Sequence, residues 1–120
     1  MEQYGPIELT IPEDGGGNFN PSVPDKYGLF QNYPNPFNPN TEVYFKLRQG
    51  SEVHLEIYNI KGELIKELYS GYVEADKLIS VGWNGRDEQG EELGSGIYLY
   101  KLNTDKENSD ILIRKMILLK

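Results

Sequence analysis

The stretch from Trp83 to Tyr98 constrains the fold most, because it joins two runs whose side chains alternate with a period of two. Before it, Ile79, Val81 and Trp83 alternate with Ser80 and Gly82; after it, Tyr98, Tyr100 and Leu102 alternate with Leu99 and Lys101. That period is the signature of a half-buried strand. Between the runs, Gly85, Gly90, Gly94 and Gly96 are interspersed with acidic side chains. Glycines open backbone angles closed to other residues, so the stretch is expected to be a long, sharply turned connection crossing from one sheet to another.

The rest of the chain repeats the pattern. Val43, Phe45 and Leu47 alternate with Glu42, Tyr44 and Lys46, and Val53, Leu55 and Ile57 with His54, Glu56 and Tyr58. Asn59 to Glu63 reads as a tight hairpin with Gly62 at the position of positive φ, leading into a strand from Leu64 to Tyr69. A polar connection through Gly71 and Asp76 then reaches the strand ending at Trp83, and Asp105 to Asn108 turns the chain into a last run, Ile111 to Lys120. With 13 glycines, 7 prolines and 9 tyrosines in 120 residues, strands and turns are favoured throughout. The expected fold is an all-β, immunoglobulin-like antiparallel β-sandwich of about seven strands, without the Cys pair of antibody domains.

Two segments flank this regular pattern. Residues 1–26 read as a linker or the end of a preceding domain, with Ile7, Leu9 and Ile11 able to form one short strand; residues 27–120 form the domain. Met1 is expected to head a piece of a longer chain, with any export signal upstream. From Tyr27 to Thr41, prolines 34, 36 and 39 forbid a helix or a central strand. An edge segment crossing the sandwich is expected there, with Tyr33 and Phe37 as its hydrophobic pins. The last run is apolar on both faces, which fits either a central, doubly covered strand or an edge meant for a partner.

Composition narrows the function. A formal charge of −7 argues against nucleic acid, and no basic cluster precedes Arg114. There is no cysteine, hence no disulfide and no thiolate site. No apolar run is long enough for a membrane helix, so membrane insertion is not expected. His54 is the only histidine and sits on the polar face of its strand; neither it nor the neighbouring carboxylates Asp87/Glu88 and Glu91/Glu92 form a catalytic constellation. No catalytic residue, cofactor site or metal site is expected, although Asn84, Asp87 and carbonyls near Gly90 are the kind of oxygen set that Ca²⁺ takes. Tyr44, Tyr58 and Tyr69, if outward, would offer aromatic faces to a sugar, the alternative being ordinary strand-forming tyrosines.

Five groups of residues then occur in a telling order: Tyr33-Pro34-Asn35-Pro36-Phe37-Asn38-Pro39; Ile57-Tyr58-Asn59 with Gly62; Trp83, Gly85, Asp87 and Gly90; Ser95-Gly96 with Tyr98, Tyr100 and Leu102; and Lys115-Met116 with Leu118 and Lys120. From about Tyr27 to Lys120 this resembles the type A C-terminal sorting domain of the type IX secretion system, a pattern shared with the immunoglobulin-like domain of the flagellar hook-capping protein. The resemblance implies a non-enzymatic address at the end of a larger exported protein. Its partners would be the outer-membrane translocon, a sortase-like surface protease and the cargo domain of the same chain. The protein would pass through the periplasm to the cell surface or beyond, and the linker before Tyr27 would be the cleavage region. By the same resemblance, Gly96, Tyr98, Lys115, Met116, Leu118 and Lys120 are the expected recognition residues, with the terminal strand offering main-chain hydrogen bonds and Lys115 and Lys120 adding charge complementarity. The alternatives are a structural accessory domain of the hook-cap type and a carbohydrate-binding module.

Overall fold

Alternation becomes two sheets in the computed structural model, which describes residues 27–105 and 112–120. The expected linker 1–26, with Ile7, Leu9 and Ile11, lies outside the described residues, as does most of the turn after Asp105. Among the described residues the strands are β1 Gly28–Leu29, β2 Thr41–Lys46, β3 Ser51–Asn59, β4 Leu64–Val73, β5 Leu78–Trp83, β6 Gly96–Thr104 and β7 Leu112–Leu118. One antiparallel sheet has the order β1-β2-β5 and the other β4-β3-β6-β7. The connection from Trp83 to Gly96 therefore does cross between sheets.

The two inner faces close on each other as period-two strands require. Val43, Phe45 and Trp83 from one sheet meet Val53, Leu55, Ile57, Tyr100, Leu102, Met116 and Leu118 from the other, all buried. The β3–β4 hairpin turns at Gly62, whose φ of 86° is one that residues with a Cβ rarely adopt. Asn59 fixes the turn by accepting from the N–H groups of Lys61 and Glu63, both at 2.9 Å.

Three local expectations are corrected. Strand β4 does not end at Tyr69: it runs through Gly71 to Val73, because Ser51 and Val53 at the start of β3 pair with Val73 and Gly71. Tyr44 is not outward. It is buried together with Lys46, although both alternate with the inward Val43 and Phe45 of β2. The Tyr33 side chain is exposed and is no hydrophobic pin, whereas Phe37 is fully buried.

The proline-rich segment crosses the sandwich as expected, and its course positions the site. Leu29 pairs with Phe45 in one sheet, Tyr33 bridges to Glu42, and Phe37 then forms a parallel bridge with Leu118 in the other sheet. The X–Pro bonds preceding Pro34, Pro36 and Pro39 are cis. Tyr100 holds the crossing from below. Its buried hydroxyl accepts from the Asn32 N–H and donates to the Phe30 carbonyl, both at 2.8 Å, and burial pushes its pKa strongly up. The Asn32 side chain donates in turn to Thr41 Oγ1 at 2.9 Å and to the Pro34 carbonyl at 3.1 Å.

Candidate recognition site

The loop after β5 is built from its own side chains. The Trp83 indole N–H donates to the Arg86 carbonyl at 2.9 Å. The Arg86 guanidinium reaches forward to the Gly90 carbonyl at 2.9 Å and to Glu92 Oε2 at 3.0 Å. Asp87 Oδ1 accepts from the N–H groups of Gln89 and Glu91, each at 2.9 Å, and Asn84 Oδ1 accepts from the Arg86 N–H at 3.2 Å. These are the oxygens considered for Ca²⁺, and they are already engaged by N–H donors. Gly85 has φ 76°, and a Cβ there would stand 3.4 Å from the Pro39 carbonyl. Trp83, Gly85, Asp87 and Gly90 thus serve one turn that seats the indole between Phe37 and Tyr98, with ring centroids at 5.7 and 5.8 Å.

The six expected recognition residues divide between the core and the surface. Tyr98, Met116 and Leu118 are buried in the core, and the Tyr98 hydroxyl donates to the Gly94 carbonyl at 2.7 Å. Gly96 is half-buried, opposite Leu118 across the β6–β7 pair. Lys115 and Lys120 are exposed. Lys120 is held against the loop: its N–H donates to Ser95 Oγ at 2.8 Å, and its ammonium lies 3.1 Å from Glu92 Oε1. That hydrogen bond, with the charges of Lys120 and Arg86, keeps the Glu92 carboxyl below its ordinary pKa. Asn38, Asn40, Arg86, Glu92 and Lys120 help to line a cleft of about 470 Å³ between the proline-rich segment and the loop.

Strand β7 is an edge in sheet order, yet its outer side is occupied. The Phe37 N–H donates to the Ile117 carbonyl and the Leu119 N–H to the Phe37 carbonyl, both at 2.9 Å. Asn35 Oδ1 accepts from the Ile117 N–H at 2.9 Å, Gln31 Nε2 donates to the Lys115 carbonyl at 2.8 Å, and Arg114 Nε donates to the Leu29 carbonyl at 2.6 Å. The expectation that this strand offers its main-chain groups to a partner therefore fails between Lys115 and Leu119. The chain's own proline-rich strap takes them. Sequence reasoning missed the strap's polar anchors, Gln31, Asn32 and Asn35; polar residues with no strand period beside prolines were the available signal.

His54 lies on the solvent face of β3. Both of its close polar neighbours, Glu67 Oε2 at 2.9 Å and Ser70 Oγ at 3.3 Å, contact the same ring nitrogen, Nδ1. A nucleophile relay needs the hydroxyl on one nitrogen and the carboxylate on the other, and this cluster does not have that geometry. The Glu67 hydrogen bond raises the His54 pKa above 6.5, against a smaller desolvation effect and helped by the charges of Glu67, Glu56 and Glu52. A raised folded-state value means that the protonated ring's stabilisation is complete below the unfolded pKa near 6.5. It is lost as pH rises through the folded value. An NMR titration of the ring is expected to give a midpoint above 6.5 that Glu67→Gln moves down; a midpoint unmoved by that change would remove Glu67 as the cause.

The tyrosines do not form one outward platform. Tyr44 is buried, and Tyr69 packs half-buried against the core. Tyr58 donates to Glu56 Oε1 at 2.7 Å, and the Lys101 ammonium covers its ring at 4.9 Å from the centroid.

Two antiparallel sheets packed face to face, crossed by an edge segment that leaves one sheet for the other, define an immunoglobulin-like β-sandwich. The family model of the FlgD Ig-like domain matches residues 37–108, and the chain belongs to that family. Among solved structures, dimeric latent PorU from Porphyromonas gingivalis superposes with a TM-score of 0.60 at 22% identity, over 76% of this chain and 9% of that one. PorZ, described as an essential bacterial surface component of the type IX secretion system of the same organism, superposes with a TM-score of 0.53 at 22% identity, over 88% of this chain and 13% of that one. The chain thus spans only a small part of the length of either protein. A comparison with curated protein sequences finds no match.

Proposed function

We propose that this domain is a sorting address: a folded tag through which the type IX translocon recognises a larger exported protein before a surface protease removes the tag. The observation that carries this reading is the register of the five sequence groups, from Tyr33 to Lys120, on a sandwich like part of a type IX surface component. The domain performs no catalysis in this reading. It would travel through the periplasm to the cell surface with its cargo. The family match itself favours one other reading, an accessory domain that packs on its neighbours as a structural module.

The two separate in a fusion experiment. A fluorescent protein placed behind a signal peptide and ahead of this chain is expected to appear outside a type IX-competent bacterium and to stay periplasmic in a translocon mutant. Periplasmic retention of a folded fusion in the competent strain would overturn the address reading in favour of the accessory one. Deleting Lys115 to Lys120 is a poor version of this test, because it strips Met116 and Leu118 from the core along with any recognition element.

A further inference from the structure

Opposite residues on paired antiparallel strands project to the same face of a sheet. The β6–β7 register places Ile97 opposite Ile117, Leu99 opposite Lys115, and Lys101 opposite Ile113. Tyr98, Tyr100, Leu102 and Met116 point inward and are buried, so the first six form the outward mosaic. Its two ends are apolar and open, with Ile97 43% exposed, Ile113 56% and Leu119, next on the same side of the chain, 51%, and Lys115 stands opposite half-buried Leu99 in the middle row. Lys115 makes no ion pair among the described residues.

The other half of the same sheet face is different. There β3 and β4 also expose Leu64 and Tyr72, but set them among Glu52, His54, Glu56 and Glu67, so the difference is one of charge. A chain with a net charge of −7 thus sets lysines instead of carboxylates among the apolar residues of the two strands that carry the expected recognition residues. Edge pairing is not open to a partner there, since the strap already holds the outer main-chain groups from Lys115 to Leu119.

We propose that recognition occurs on this outer face, through Ile97, Ile113, Ile117 and Lys115, and that its occupant is a folded protein surface whose apolar side chains flank a carboxylate. Docking is then face-on and adds no strand. The exposed isoleucines supply desolvated contact area, while Lys115 between them selects a carboxylate and disfavours a basic group. Tyr98, Met116 and Leu118 act from inside, as the packing that keeps β6 and β7 in register.

This inference rests on the address reading, and the secreted fluorescent fusion tests both. Ile97→Asp, Ile117→Asp and Lys115→Glu are each expected to lower the secreted fraction about tenfold. Leu64→Asp and Tyr72→Asp, at positions on β4 that are 54% and 60% exposed, are expected to leave it unchanged. Thermal denaturation of each purified variant shows whether it folds. Lys115→Glu, which leaves every apolar contact intact, decides the matter if an aspartate variant melts. Normal export of Lys115→Glu and of the folded aspartate variants would overturn the surface and leave the address reading standing. Equal losses for the β4 variants would overturn it as well, by showing that any added charge on the sheet suffices. If the unmodified fusion is not exported, both readings fall together.

Discussion

Replacing Trp83 by alanine is expected to cost about 3–5 kcal/mol, the range for removing a large aromatic from a well-packed core. Domains of this size are stable by only about 5–15 kcal/mol, so the loss is a large share of the whole. Two features place Trp83 at the upper part of that range. Its ring is wedged between Phe37 of the strap and Tyr98 of β6, so three separate elements lose a common contact. Its N–H also caps the Arg86 carbonyl, and without it the turn that returns the chain to β6 loses an anchor. Equilibrium unfolding in urea measures the effect directly. Ile60→Ala, at an exposed hairpin tip, is the matched control and is expected to stay within about 0.5 kcal/mol. A Trp83 loss below about 1 kcal/mol would mean that neighbouring side chains refill the space.

The difference between these two apolar residues was legible in the sequence, because Trp83 continues the alternation of Ile79 and Val81 while Ile60 interrupts a turn. Most of the sandwich was legible for the same reason: a period of two survives wherever one face is wet and the other dry. It failed at Tyr44, which occupies a polar-phase position and is nevertheless buried, because a tyrosine carries no mark that tells a wet face from a covered one. Gly71 misled differently. A glycine that reads as a loop marker sits inside β4, held in the ladder by Val53.

The candidate site was legible only in part. The last run stood out through its basic and apolar residues, and β7 presents Ile113, Lys115 and Ile117 outward, whereas Gly96 and Tyr98 were named only through the family resemblance. Main-chain hydrogen bonds leave no mark on residue identity, so nothing in Phe37 or Ile117 announced that the strap closes the edge of β7. Nor did Arg86, one cation among acidic neighbours, announce that its guanidinium ties Gly90 and Glu92 together. The Asn84 and Asp87 side-chain oxygens looked free for an ion because their partners are backbone N–H groups a few residues away.

The strap yields the second large effect. Phe37→Ala is expected to cost about 3–5 kcal/mol as well, since the ring is fully buried against Trp83. It also has a local signature that Trp83→Ala lacks. Phe37 is the residue whose N–H and carbonyl bridge Ile117 and Leu119, so losing its side chain loosens both bonds and uncovers the outer edge of β7. Amide exchange at Leu119 is expected to accelerate before that of residues paired inside the sheet, such as Met116. Unpaired strand edges promote pairing between copies, so the variant is expected to self-associate at concentrations where the parent stays monodisperse; light scattering reads this. Tyr33→Ala, in the same proline-rich motif but exposed, is expected to cost less than about 1 kcal/mol and to leave Leu119 protected. Equal exchange rates at Leu119 in the Phe37 and Tyr33 variants would mean that Asn35 and Gln31 hold the strap without the ring. The edge would then be closed by polar anchoring alone, and the motif's aromatic residue would be serving only the core.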